Sequence, residues 1–203
     1  MNAPQEVRLI GGTLKRSLLP VVNPSRGVDG LRPTLARVRQ TLFDWLGHDL
    51  TGWRVLDAYA GTGALGLEAA SRGAASVGLV DQHPAVAAHL QSLRARFAAT
   101  LSAAWPGQVV SVRRGDGLST LQAQAAGSLD LVLLDPPFEL SSKPAKLAPL
   151  LVAAHRALAP GGLVYLEMDA AAEWQDALQA APGLAPHREG RAGAVAFRLL
   201  VKT

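Results

Sequence analysis

No cysteine occurs in the 203 residues, which excludes a disulfide framework, a thiolate zinc site and a cysteine nucleophile. A reducing compartment fits that absence. The five histidines form no close His/Asp cluster of ligand spacing, so no metal is expected. No window reaches the apolar length of a membrane span, and the opening MNAPQEVRLI lacks a basic start followed by a long apolar stretch. The expectation is an unexported, cytoplasmic protein with no membrane partner. Charge is sparse too, at 18% of residues against 49% hydrophobic, so the chain can bury one good core and still carry an appendage. What charge there is gives a net +4, mostly through Arg, the side chain that forks best onto phosphate. That permits a nucleic-acid partner without requiring one. Tandem repeats are absent, and the Ala-rich stretches reflect helix propensity.

From Gly52 onward, short β-branched apolar runs alternate with Ala/Leu-rich segments of helical length, the pattern of βαβ units on a parallel sheet. Strands are predicted at Arg54–Ala58, Ser76–Asp81, Val109–Arg113, Leu129–Leu134 and Gly162–Glu167, and helices near Ala64–Arg72, Pro84–Ala98, Leu118–Ala125 and Lys143–Ala157. The end of the chain breaks the rhythm: His187–Gly190 and Ala194–Lys202 flank a Gly-containing turn and read as an antiparallel hairpin closing the sheet edge.

The first fifty residues differ in character. Val7–Leu19 reads as a small basic hairpin around Gly11-Gly12, followed by a Pro/Gly-rich link at Asn23–Gly30. Thr34–Leu46 then forms an amphipathic helix with Leu35, Val38, Leu42, Trp45 and Leu46 on one face and Arg37, Arg39, Gln40 and Asp44 elsewhere. Thr34 caps it, and Pro33 disfavours helix at Arg32. The expected division is residues 1–30 as hairpin extension and linker and 31–203 as the main domain. The basic face of this region is either a solvated packing appendage or a clamp for nucleic acid.

Three motifs carry chemistry. Asp135-Pro136-Pro137-Phe138 follows the apolar run Leu129–Leu134. An Asp carboxylate and a proline-stiffened carbonyl can accept hydrogen bonds from an exocyclic amine on a flat base, while Phe138 offers a ring to stack on it. Taken alone, the tetrapeptide also reads as a strand exit and turn. The second motif, Val55–Ala70, is a strand leading through a Gly-rich turn into a helix. Its Gly61-x-Gly63-x-x-Gly66 spacing, with Asp81 ending the next strand, also matches a dinucleotide fingerprint. Asp57 discriminates: a carboxylate there is awkward for a pyrophosphate but welcome for the sulfonium and amino group of S-adenosylmethionine. Third, Gly115-Asp116-Gly117 follows the Val109–Arg113 strand, where Asp116 either holds an adenine amino group or caps a helix. Asp57, Asp81, Asp116 and Asp135 thus recur at the ends of four consecutive strands.

Together VRLIGGTLKRSLLP, GLRPTLARVRQTLFDWL, LDAYAGTGALGLEAASRGA, LVLLDPPF and the terminal hairpin make the chain resemble the bacterial small-subunit ribosomal RNA guanine-N2 methyltransferases, within the class I S-adenosylmethionine-dependent enzymes. The resemblance spans nearly the whole length. It implies a Rossmann-like α/β fold: a mostly parallel seven-stranded sheet, helices on both faces, a C-terminal antiparallel hairpin and a small N-terminal hairpin and helix. It places Asp57, Gly61 and Gly63 at the methionine end of the cofactor, Asp81 at the ribose and Asp116 at the adenine, with Tyr59, Ala60, Ala64, Leu65, Gln82 and Gly117 completing that site. Asp135, Pro136, Pro137 and Phe138 would hold a guanine of 16S rRNA, and Arg8, Lys15, Arg16, Arg32, Arg37 and Arg39 would meet phosphate. The implied enzyme is a metal-free monomer acting on RNA within a small-subunit assembly particle. Asp81 stands where such enzymes often carry Glu. A DNA adenine-N6 or cytosine-N4 methyltransferase would use the same tetrapeptide, though no large separate recognition domain is present. Further off stand a nicotinamide-dependent oxidoreductase and a non-catalytic RNA-binding module.

Overall fold

Leu131 and Leu133 point into one hydrophobic core and their neighbours Val132 and Leu134 into another. This two-sided burial is what an uninterrupted apolar run produces in a central parallel strand covered on both faces. The computed structural model describes residues 6–22, 36–172 and 174–203, with the Phe138 side chain outside that description. The predicted link Asn23–Gly30, the Thr34 cap, Leu35 and Arg32 lie outside the described residues.

The strands are β1 (Glu6–Arg8), β2 (Leu18–Pro20), β3 (Arg54–Asp57), β4 (Ser76–Asp81), β5 (Val109–Arg114), β6 (Leu129–Leu134), β7 (Leu158–Asp169), β8 (Leu184–Ala192) and β9 (Val195–Lys202). The last seven form one sheet in the order β5-β4-β3-β6-β7-β9-β8. It is parallel from β5 to β7, and β9 runs antiparallel to both of its neighbours. Strand order reverses between β3 and β6, the place where an open α/β sheet forms its ligand crevice. Helices α1 (Ala36–Leu46), α2 (Ala64–Ser71) and α3 (Pro84–Ala104) cover one face together with the β1–β2 hairpin. Past the short α5 (Phe138–Ser141), the opposite face carries α4 (Gly117–Gln122), α6 (Pro144–Ala157) and α7 (Gln175–Gln179). The expected architecture is therefore present.

Details differ from the sequence expectations for physical reasons. α3 runs on to Ala104 because Leu101 continues the buried stripe of Val86, Leu90, Leu93 and Phe97. β7 starts at Leu158, before the Gly161-Gly162 pair, and its register against β6 shifts between Leu129 and Leu131. β8 begins at Leu184 and includes Pro186, as an edge strand can. α5 and α7 are too short to carry a periodic signal.

The amino-terminal hairpin is locked onto α2. Among the described residues three pairs join β1 to β2, and the connection between them is a wider loop than a tight turn at Gly11-Gly12. Ser71 Oγ accepts the Leu14 N–H at 2.7 Å and donates to the Gly11 carbonyl at 2.7 Å, while the Thr13 N–H reaches the Ser71 carbonyl at 2.8 Å. Gly12 has φ 66°, and a Cβ there would fall 2.0 Å from the Ser71 carbonyl oxygen, so this contact requires glycine. Glu68, fully buried, accepts the Ile10 N–H at 2.8 Å through Oε2 and the Arg72 guanidinium at 2.9 and 3.0 Å through Oε1.

Arg39 corrects one sequence expectation. It is 2% exposed, not solvated, and its Nη2 donates to the Arg8 carbonyl at 3.1 Å. Burial pulls its pKa down while the Glu68 charge partly restores it. A guanidinium held there joins helix α1 to the hairpin and cannot reach a phosphate. Phe43 is buried beside it, so the inward face of α1 is Val38, Arg39, Leu42, Phe43 and Leu46; the predicted Trp45 is half-buried, 5.3 Å from the Phe197 ring.

Candidate active site

β3 carries Asp57 to its carboxyl end, where the chain turns through Gly61 (φ 50°) and Gly63 (φ 78°) into α2. The Asp57 carboxylate is 1% exposed. Its Oδ2 accepts the Gly66 N–H at 2.9 Å, within the first turn of α2, while Oδ1 is sealed from solvent with no hydrogen bond of normal geometry. Burial is the main force pushing this carboxyl up to about 7, with Asp135 and then Asp81 adding to the rise and the Gly66 and Tyr59 N–H groups opposing it. A dry acid with one unpaired oxygen is poised for a cation.

Asp81, ending the adjacent β4, ties the rim together. Oδ2 accepts the Gly61 N–H at 3.1 Å, Oδ1 accepts the His83 N–H at 2.8 Å, and its carbonyl accepts the Gly115 N–H at 3.0 Å. His83 in turn caps α3 through the Ala85 N–H. Gln82 is exposed beside it. Asp116 follows β5 and caps α4, its Oδ2 accepting the Ser119 N–H at 2.8 Å and hydroxyl at 2.9 Å. The helix-cap alternative is thus realised, at a residue that is itself exposed. Tyr59 lies close enough to Asp116 for that charge, after burial, to push its phenol up to about 12. Gly117 is buried against Tyr59: a Cβ there would come 2.5 Å from the Ala58 carbonyl oxygen and 2.8 Å from the phenol ring. Ala60, Ala64 and Leu65 are buried in the same loop and helix start.

Asp135 leaves β6 next to this group, half-buried, and its charge is felt by Asp57, Tyr165 and Glu167. Pro136 is buried and Pro137 exposed. The Pro137 carbonyl is taken by the Leu140 and Ser141 N–H groups at 2.8 and 3.2 Å, so α5 fixes the loop. No backbone N–H of the described residues donates to the Pro136 carbonyl. The sheet therefore brings Asp57, Asp81 and Asp135 to one crevice, with Asp116 on its rim. Sequence reasoning missed Tyr165 and Glu167, although an acid inside the buried run Leu163–Met168 is itself a signal. Arg8, Lys15, Arg16 and Arg37 are exposed on the hairpin and α1. Among the described residues no group of His, Asp and Glu could hold a metal ion, and no helix is long and apolar enough to cross a membrane.

The orphaned Asp57 oxygen and the close-packed glycine turns fit a cationic nucleoside better than a pyrophosphate. This fold and crevice are those of the Rossmann-like class I methyltransferases. A Thermus thermophilus 16S rRNA N2 G1207 methyltransferase, solved with S-adenosylmethionine and guanosine, shares the fold at a TM-score of 0.59 and 23% identity, over 98% of this chain and 45% of that one. The chain belongs to the family described as conserved hypothetical protein 95, whose model matches residues 7–201. It is 37% identical to the Ribosomal RNA small subunit methyltransferase D of Escherichia coli strain K12 over 195 residues, 96% of this chain and 89% of the relative. A solved Escherichia coli structure carrying a methyltransferase name, yhhF, superposes with a TM-score of 0.75 at 33% identity, covering 98% of each chain.

Proposed function

We propose that this chain transfers a methyl group from S-adenosylmethionine to the exocyclic N2 amine of a guanine in the 16S rRNA of the small ribosomal subunit. It does so in the cytoplasm, as a monomer working on RNA within an assembling particle. The observation that carries this is the pairing of a buried, half-satisfied Asp57 with the Asp135-Pro136 acceptors at the end of the neighbouring strand. Relatives named as small-subunit rRNA methyltransferases support the substrate class.

When bound, the cofactor supplies an electrophilic methyl group on a cationic sulfur. Asp57 holds the positive end, with Tyr59, Ala60, Gly61, Gly63, Ala64 and Leu65 shaping the wall. Asp81 and Gln82 take the ribose, and Asp116 and Gly117 the adenine. The guanine amine is a poor nucleophile because its lone pair is delocalised into the ring. Asp135 and the Pro136 carbonyl accept its N–H hydrogen bonds and return electron density to nitrogen, so rate comes from positioning and electrostatics. Pro137 stiffens the loop and Phe138 stacks on the extruded base. The extension of residues 1–30 and the start of the catalytic unit 31–203 meet the RNA together, with Arg8, Lys15 and Arg16 of the first and Arg32 and Arg37 of the second contacting phosphate.

The test is transfer of labelled methyl to unmodified small-subunit rRNA and particles, with the product nucleoside identified by mass spectrometry. N2-methylguanosine is expected, and Asp135→Ala should abolish it while leaving cofactor affinity largely intact. Transfer to DNA and not to RNA would overturn the proposal in favour of a DNA amino-methyltransferase.

A further inference from the structure

Tyr165 and Glu167 are two residues apart on β7 and therefore on one face of the sheet. The Tyr165 hydroxyl donates to Glu167 Oε2 at 2.9 Å, and the residues are 0% and 7% exposed. β6 and β7 run parallel with Leu133 opposite Tyr165 and Leu134 opposite Leu166. One step further along both strands brings Asp135 beside Glu167. Two carboxyls side by side, Glu167 buried and Asp135 half-buried, cannot readily both ionise.

We propose that Glu167 is a positioning residue that holds a proton beside Asp135, so that the pair carries one negative charge and that charge sits on Asp135, where the target amine docks. The inference rests on Asp135 as the amine's acceptor. Burial, then the Asp135 charge, push the Glu167 carboxyl up to about 8, against the opposing hydrogen bond from Tyr165. Tyr165, buried beside both acids, is held well above the ordinary phenol range and remains a donor. The surroundings offer little relief. β3 contributes another acid, Asp57, which also feels the Asp135 charge. α5 brings only the exposed Glu139, and Asp169 lies at the end of β7 itself. On β9 the residue opposite Glu167 is Phe197, against Trp45 of α1, while Arg198 lies over the Trp174 ring in the opposite core. α6 packs on that opposite core as well.

The charge placement has a chemical purpose. With S-adenosylmethionine as methyl donor, the amine lone pair would form the N–C bond as the methyl–sulfur bond breaks and its pair leaves with sulfur as a neutral thioether, and the N–H proton would pass to an Asp135 oxygen while nitrogen keeps that bond's electron pair. Singly charged, the pair accepts that proton. Doubly protonated it cannot accept, and doubly ionised it repels itself and misplaces Asp135.

Methyl transfer to unmodified small-subunit RNA should be followed from about pH 6 to 10 for wild type, Glu167→Gln and Glu167→Ala, with cofactor affinity measured in parallel. The wild-type rate should fall above pH 8, and Glu167→Gln, always neutral, should retain most of the rate and lose that fall. Glu167→Ala should lose roughly tenfold or more in kcat with cofactor affinity within about twofold. The infrared spectrum gives a readout independent of turnover: wild type minus Glu167→Gln should show a protonated carboxylic acid band at pH 7 that disappears near pH 8. An alkaline fall that survives Glu167→Gln, or no such band, overturns the inference. A wild type that shows the band but methylates no guanine overturns the functional proposal alone and leaves the proton on Glu167 standing.

Discussion

The Gly66 N–H donates to Asp57 Oδ2 at 2.9 Å, joining the end of β3 to the first turn of α2 and leaving Oδ1 dry and unpaired. A Cβ on Gly66 would lie 3.1 Å from Oδ2 and 2.2 Å from Leu79 Cδ2, so glycine is what lets helix and carboxylate approach. An acid held up to about 7 should release its proton when a cation docks beside it. S-adenosylmethionine should therefore bind more weakly below pH 7 than above it, and calorimetry in buffers of different ionisation enthalpy should register proton release near pH 7. Asp57→Asn should weaken binding by roughly tenfold or more and abolish that release. Unchanged affinity in Asp57→Asn would remove Asp57 from the cofactor site.

The free protein should also lose stability with rising pH. Asp57 and Glu167 have folded-state pKa values of about 7 and about 8, above ordinary carboxylates, so the native state keeps protons that the unfolded chain releases. Their stabilisation is complete below the unfolded pKa and disappears as pH climbs to about 8. Asp130 works the other way: the Arg54 hydrogen bond lowers its pKa, so its contribution is lost in acid. A Tm maximum on the acid side of neutral follows, with stability falling by several kcal/mol at most from there to pH 8.5. Thermal scans across pH should show this decline, and Asp57→Asn should flatten it. A Tm that rises steadily to pH 8.5 would contradict both assignments.

The sheet was legible because its strands are short apolar runs separated by Ala/Leu-rich segments of helical length, an alternation that βαβ geometry imposes. The crevice was legible for a related reason: parallel strands deliver their carboxyl ends to one edge, so Asp57, Asp81 and Asp135 could be grouped before any distance was known. Asp57 is also what favoured a sulfonium site over a pyrophosphate site within an ambiguous glycine pattern. Tertiary partners were not legible. Arg39 reads as a surface cation until the Arg8 carbonyl and Glu68 are brought to it from elsewhere in the chain. Glu167 reads as one more strand residue until β6 and β7 align it with Asp135.

Arg39 and Arg37, two positions apart on α1, should separate stability from RNA binding. Arg39 is buried against the hairpin, and its loss leaves the Arg8 carbonyl without that donor and the Glu68 site with less positive charge. Arg39→Ala should cost about 1–3 kcal/mol in thermal or chemical unfolding. Arg37→Ala, at an exposed site, should leave Tm unchanged and reduce the slope of log affinity against log salt for RNA by about 1. A stable Arg39→Ala with a lowered salt slope would restore Arg39 to the RNA surface.

Asp116 carries two assignments that a pair of substitutions can divide. Its Oδ2 caps α4 through the Ser119 N–H and hydroxyl, and its other oxygen is the acceptor proposed for the adenine amino group. Asn caps helices as well as Asp does, so Asp116→Asn should keep the fold, but the amide nitrogen replacing the second oxygen cannot accept an amine's hydrogen bond. Its cofactor affinity should fall roughly tenfold at unchanged Tm, the worth of one hydrogen bond to a charged acceptor. Asp116→Ala removes cap and acceptor together and should lower stability by about 1 kcal/mol in addition. If Asp116→Asn binds S-adenosylmethionine as tightly as wild type while Asp116→Ala loses only stability, Asp116 is a cap and nothing more, and the adenine amino group is held elsewhere on the rim.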